Sequence, residues 1–285
     1  MTTTDPTRDG TLTKVGGRPP LRPYLEDVWS RREFVYSLAR FRIEAENQTN
    51  RLGMAWVVLR PLLNAAIYGL IFGILLGSKS RPEHFLEFLI IGVFVFEFFS
   101  SSFTQGAKAV TSNQALVQSL SFPRMSLPLS AVTQRLLLFV PMIVVMLVII
   151  VAFGTWPQPE WLLLIPLTAI LFVFNCGLAM ITARLTVHFR DLTQLLPFIT
   201  RLIFYTTGIF FSFDRRFSTH PTVLRIVDFQ PVHEFLTLAR AVLLTGPDYN
   251  VPMSYWLYST VWAIAVFVVG VVFFWRAEER YGRTH

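Results

Sequence analysis

A chain of 285 residues with 53% apolar and only 15% charged side chains, at a mean hydropathy of +0.51, lacks the roughly 25% charge of a water-soluble domain, so lipid is read as its solvent. The net charge of +7 would suit nucleic acid, but the basic residues stand at the ends of apolar runs, where they orient a membrane protein; no nucleic-acid partner is expected. The one cysteine, Cys176, lies in an apolar run beside Asn175 and Gly177, which excludes an intrachain disulfide and a Cys/His metal spacing and leaves a small buried residue.

In chain order, residues 1–23, with Gly16, Gly17, Pro19, Pro20 and Pro23, cannot bury a core and are expected to form a disordered cytoplasmic tail. Residues 24–53 are expected to hold an amphipathic helix and a connector. Leu25, Val28, Trp29, Tyr36, Ala39 and Ile43 recur near the helical period, with Arg31, Arg32, Arg40, Arg42, Glu44 and Glu46 between them. Too charged to span, the segment reads as a basic helix in the headgroup plane or one docked on a partner. The first apolar run begins only near Met54, too deep for a secretory signal.

A six-span transmembrane domain over 54–275 follows. The runs are 54–77, 85–103 with Glu87 and Glu97, 129–153 with Arg135 and Pro141, 161–183, 195–213 with Arg201, and the uncharged 255–275. Between the last two, 223–227 and 235–244 are apolar but too short to cross, and read as short re-entrant or interfacial helices in the outer loop. Residues 276–285 form a second cytoplasmic tail. Segments placed inside by this count carry 16 basic residues against 6 outside, which favours a multi-pass plasma-membrane protein with both termini cytoplasmic. The predicted fold class is an all-α integral membrane protein.

Signatures of catalysis are missing. There is no GxxxxGK[ST] phosphate loop and no GxSxG elbow; His233-Glu234 opens an HExxH pattern that Thr237 breaks. His188, Arg190 and Asp191 stand together, but at a membrane border they read as a helix end or docking loop.

Ionisable residues inside spans mark function by default. Arg60, Glu97, Arg135 and Arg201 each fall about six residues, or roughly 9 Å, from the inner side. Arginines at that depth can snorkel to headgroups, but a carboxylate gains nothing there. Glu97 is therefore expected to pair with Arg60, leaving Arg135 or Arg201 to face a phosphorylated substrate, whose oxygens suit a guanidinium fork.

Particular residues carry a family resemblance. Asn50-Arg51-Leu52-Gly53-Met54-Ala55-Trp56 with Arg60-Pro61-Leu62 is similar to the start of span one in ABC-type polysaccharide export permeases, the group of Wzm, TagG and KpsM, and is most like the O-antigen branch. Phe88-Leu89-Ile90-Ile91-Gly92 through Phe98-Phe99-Ser100 resembles its second span. Asn113, Leu116, Ser121-Phe122-Pro123-Arg124 and Leu127-Pro128-Leu129 resemble its inner loop, and Arg190-Asp191-Leu192 the Arg-Asp pair before span five. Gln230-Pro231 with Arg240 and Leu243 resembles its outer Asn-Pro segment, Gln230 and the stretch 210–216 being departures. The resemblance runs in order through most of 24–275.

The resemblance implies a homodimer paired with two copies of a separate ABC ATP-binding subunit, so that ATP and Mg sit on the partner and this chain carries no cofactor. Loops 105–127 and 184–194, with helix 24–47, would contact that ATPase, with Phe122, Pro123, Arg124, Arg190 and Asp191 near the coupling surface. The cargo it implies is a long glycan on a polyprenyl pyrophosphate. A sliding polymer needs contact area without directional grip, which aromatic faces supply. Phe94, Phe96, Phe98, Phe99 and Phe103, with Phe204, Tyr205, Phe210 and Phe211, are the candidate channel lining. An arginine bias of 22 against 3 lysines suggests a GC-rich actinobacterial genome, where the family's cargo would be cell-wall galactan; O-antigen and teichoic acid are alternatives. The rival readings are a membrane enzyme acting on polyprenyl-linked sugars and a drug- or lipid-exporting permease.

Overall fold

The computed structural model describes residues 20–47, 51–75, 82, 84–119, 122–213, 221–246 and 249–278, and within these the regular structure is helical. Residues 1–19 and 279–285 of the expected tails, and Asn50 and Ser121 of the family motifs, lie outside the described residues.

The amphipathic segment forms two helices, α1 (Leu21–Ser30) and α2 (Arg32–Asn47), joined at Arg31. The last three residues of the expected tail, from Leu21, are already helical, with Pro23 in the first turn, where its missing N–H costs nothing. Over 20–47 five arginines meet five carboxylates, so the segment is neutral and not basic. Three pairs form at i,i+4 spacing, Arg22–Glu26 at 3.2 Å, Arg31–Asp27 at 2.9 Å and Arg40–Glu44 at 3.8 Å. Trp29, Tyr36 and Phe41 stay exposed, whereas Tyr24 and Ala39 are buried.

Among the described residues five helices are long and apolar enough to cross a membrane: α3 (Ala55–Leu75), α4 (Phe85–Lys108), α6 (Ser126–Ala152), α7 (Leu164–His188) and α11 (Ser254–Trp275). A short α5 (Gln114–Ser119) lies between α4 and α6. Helix α4 is the centre of the bundle and packs on α3, α6 and α7. It is buried on nearly all sides, so its phenylalanines fill the core instead of one face. Phe98 stacks on Phe139 at 4.7 Å, and Phe99 approaches Phe103 and Phe174 at 6.1 and 6.4 Å.

The most extensive helix pair is α7 with α11. Gly177 lets the backbones meet: a Cβ there would come within 2.5 Å of the Phe267 main chain, and Gly270 faces Gly177 directly. Arg184 of α7 caps this pair by donating to the Phe273 carbonyl and lying 3.8 Å over that residue's ring.

The fifth expected span is the one that differs. Helix α8 (Leu192–Thr206) has 15 residues, about 22 Å of rise, and stops seven residues before the apolar run 195–213 does. Gly208 takes φ +74°, a left-handed conformation that ends the helix. The chain then forms α9 (Pro221–Asp228) and α10 (Pro231–Leu243), matching the two short apolar stretches read from the sequence.

Side chains of α10 hold the break. The His233 Nδ1–H donates to the Thr207 carbonyl at 3.0 Å. Arg240 donates from Nη1 to Gly208 O at 3.1 Å, from Nη2 to Ile209 O at 3.2 Å and from Nε to Phe88 O at 3.3 Å. Its guanidinium also lies 3.4 Å from the Phe88 ring centre. Carbonyls freed where α8 ends would be costly in an apolar setting, and these donors satisfy them.

Candidate functional site

Between α3, α4, α6 and α8 the bundle opens into two adjoining cavities that share Glu97, Ser101, Gln105 and Arg135. One, of about 350 Å³, lies toward α2 and adds Glu46, Trp56, Arg60 and Phe98. The other, of about 520 Å³, lies toward α8 and adds Asn64, Tyr68, Phe96, Thr200, Arg201, Phe204 and Tyr205. All four charges singled out inside the spans therefore line one continuous polar groove. Volumes of this order are those of ligand sites.

The pairing inside the groove differs from expectation. Arg60 and Glu97 line the same cavity but make no ion pair; the Arg60 guanidinium lies 5.8 Å from the Trp56 ring centre. Arg135 instead reaches Glu46 of α2, with Nη2 at 2.9 and 3.2 Å from the two carboxylate oxygens. Both α4 and α6 extend past their expected ends, so Glu97 and Arg135 sit about 16 and 13 Å along the helices from Lys108 and Ser126, deeper than estimated from sequence. A second arginine of α2, Arg42, donates to Ser130 Oγ at 3.2 Å. Burial lowers its pKa below the ordinary arginine value; Glu46 opposes the fall and Arg135 adds to it. Sequence reasoning missed Glu46 as a groove residue and Arg42 as its neighbour on α2. Their i,i+4 spacing was visible, but not the direction in which that face points.

The aromatic candidates divide by position. Phe96, Phe204 and Tyr205 line the wider cavity and Phe98 the narrower one. Phe204 is held edge-on to Phe96 at 5.0 Å and to Phe210 at 5.2 Å, and Tyr68 joins it at 5.4 Å. Phe94, Phe99 and Phe103 line neither cavity: α4 is surrounded, and they are core residues. Phe210 is buried under Phe72, stacked at 4.0 Å, and Phe211 lies near Arg240 at the far end of the bundle.

The coupling candidates also divide. Arg190 and Asp191 are exposed, and Arg190 borders a small crevice beside α5 with Val110, Gln114 and Val187. His188, nearby, contacts the Arg184 carbonyl through Nδ1 at 3.0 Å. The Phe122-Pro123-Arg124 turn is, by contrast, built into the protein. Phe122 packs on Phe34 at 5.4 Å. Arg124 lies 3.5 Å from Glu278 and donates its backbone N–H to that carboxylate at 3.1 Å. The Tyr24 hydroxyl donates to Glu278 Oε2 at 2.8 Å and accepts from the Met125 N–H at 3.2 Å. This clasp puts Tyr24 and Glu278 on the same side of the bundle. Burial raises the Glu278 pKa, against lowering by its bonds to Arg124 and Tyr24.

Among the described residues no three His, Cys, Asp or Glu side chains come together as a metal site needs. A family model for the ABC-2 type transporter membrane protein matches residues 35–244. The chain belongs to the ABC-2 type transporter membrane family.

Among its relatives is the O-antigen export system permease protein RfbA of Klebsiella pneumoniae, 30% identical over 84% of this chain and 90% of the relative. The protein of the same name from Myxococcus xanthus is 28% identical over 66% of this chain and 71% of its own length. The polysialic acid transport protein KpsM of Escherichia coli is 24% identical over 56% and 63% respectively. The residues 35–244 so matched contain the whole groove, Gly177 and the Arg240 brace; Tyr24, Glu278 and the last span lie outside them.

Proposed function

We propose that this chain is the permease subunit of an ABC transporter that exports a polysaccharide linked to a polyprenyl diphosphate across the plasma membrane. Two copies pair with two copies of a separate ATP-binding subunit, which carries the ATP and Mg; both termini face the cytoplasm. The observation that carries this reading is the groove. Arg201 and Asn64 are exposed along it, beside Thr200, Gln105 and Glu97. Facing lipid, such groups are costly; facing a second copy of the same groove, they line an enclosed polar path with aromatic walls at Phe96, Phe204 and Tyr205. The relatives named for O-antigen and polysialic acid transport support a glycan as cargo. The arginine bias makes cell-wall galactan the first glycan to test.

The path needs an energy source, and Arg190, Asp191 and α5 form the exposed surface on which the ATP-binding subunit docks. Purification of the tagged chain from native membranes in mild detergent tests this. The expected result is an ATP-binding cassette subunit in equal amount. Recovery of intact protein without any ATPase moves the reading to a membrane enzyme acting on polyprenyl-linked sugars.

A further inference from the structure

Helix α2 lies along α6, and the polar links between them include Arg42 to Ser130 and Glu46 to Arg135. The second link is poorly matched. A carboxylate on an arginine fork is best held by two nitrogens, but both Glu46 oxygens approach the single Nη2 of Arg135. Arg135 Nε is buried with no acceptor, and so is Arg42 Nη2. Glu46 itself is half-exposed, with 47% of its side chain open against 15% for Arg135. Across the same cavity stand the exposed Arg60 and the half-buried Glu97. With Arg201 of the adjoining cavity, three guanidinium groups stand against two carboxylates along the groove, one positive charge in excess, and the Arg135 Nε donor is unmet.

We propose that the Glu46–Arg135 pair is a latch opened by the cargo. The diphosphate of a polyprenyl-linked substrate displaces Glu46, takes the Arg135 fork side-on through Nε and Nη2, and releases the end of α2 from α6. A diphosphate brings several acceptor oxygens where the carboxylate brings two, so it meets the Arg135 Nε that Glu46 leaves unmet. It can approach through the cavity without moving a span. Since α2 also packs through Phe34 on Phe122, its release reaches the turn where the chain's two ends are clasped. The inference rests on the proposed function for the presence of a phosphate-bearing cargo.

The test uses the full permease with its ATP-binding subunit in nanodiscs of zwitterionic lipid. Binding of polyprenyl diphosphate is compared with binding of uncharged polyprenol. Glu46→Gln removes the competitor and is expected to tighten diphosphate binding by roughly 3- to 10-fold, while Arg135→Gln weakens it by roughly 10-fold or more. Arg135→Lys keeps the charge but loses the fork and falls between wild type and Arg135→Gln. Polyprenol binds all variants alike. Amide exchange over α2 speeds up when diphosphate is added to the wild type, and is already fast in Glu46→Gln.

A Glu46→Gln variant that binds diphosphate no better than wild type overturns the latch, as does wild-type protein that does not prefer diphosphate over polyprenol. Equal displacement by phosphatidylglycerol nanodiscs assigns the site to bilayer lipid, and equal displacement by inorganic pyrophosphate to a free anion; either overturns the cargo assignment. Each of these leaves the proposed function standing if the ATPase subunit still co-purifies and glycan is still exported.

Discussion

Arg240 and Arg135 are both arginines at membrane depth, and they are treated in opposite ways. All three nitrogens of Arg240 meet carbonyl oxygens, its ring partner Phe88 covers it, and the result is a fixed break at the end of α8. Arg135 has one nitrogen on a half-exposed carboxylate and another buried without an acceptor, beside a cavity of about 350 Å³. A charge whose donors are all met holds structure; one left with donors in a cavity is free to bind. Burial alone does not separate the two roles, since both side chains are largely covered.

Substitutions can break this contrast, and the largest loss of stability belongs to Arg240. Arg240→Met leaves the Gly208 and Ile209 carbonyls without these donors and is expected to cost about 3–5 kcal/mol, seen as loss of monodisperse protein on heating in detergent. Arg240→Lys does not restore it, because one ammonium cannot span three carbonyls set for a planar fork. Gly177→Ala comes next, at about 1–3 kcal/mol, because its Cβ meets the main chain of α11 and that helix must shift. Tyr24→Phe removes a hydroxyl that serves Glu278 and Met125 together and costs about 1–1.5 kcal/mol by the same assay.

Arg135→Gln is expected to leave the melting point almost unchanged, within about 1 kcal/mol, because Glu46 is half in water. A melting loss as large as that of Arg240→Met would erase the distinction between the two arginines. The smallest effect concerns pH. Glu278 has a pKa raised by burial, so folding takes up a proton there; its contribution is complete below the ordinary 4.5 and fades as pH rises through the higher folded value. Glu278→Gln should flatten the melting temperature against pH between 4.5 and that folded value.

Much of the fold was legible because hydropathy and length decide spans. The five long helices begin and end within a few residues of the apolar runs, and the short stretches 223–227 and 235–244 became α9 and α10. The end of α8 was not legible. Apolar residues continue to Phe213, and what stops the helix is Gly208 together with donors more than twenty residues later in the chain. The phenylalanines of α4 could not be sorted from sequence, since a helix at the centre of a bundle has no exposed stripe to give a period. Depth along the spans did bring Arg60, Glu97, Arg135 and Arg201 to one groove. Their partner Glu46 was hidden because it comes from a helix outside the spans. The Tyr24–Glu278 clasp joins residues 254 positions apart, beyond any local pattern.

Export through the groove is tested most directly by uptake of polyprenyl-linked glycan into inverted membrane vesicles that carry this permease and its ATP-binding subunit. The expected result is ATP-dependent accumulation that falls by roughly 10-fold or more in Arg135→Gln, although that complex assembles and melts like wild type. Accumulation that needs no ATP, or a full rate from Arg135→Gln, would contradict it.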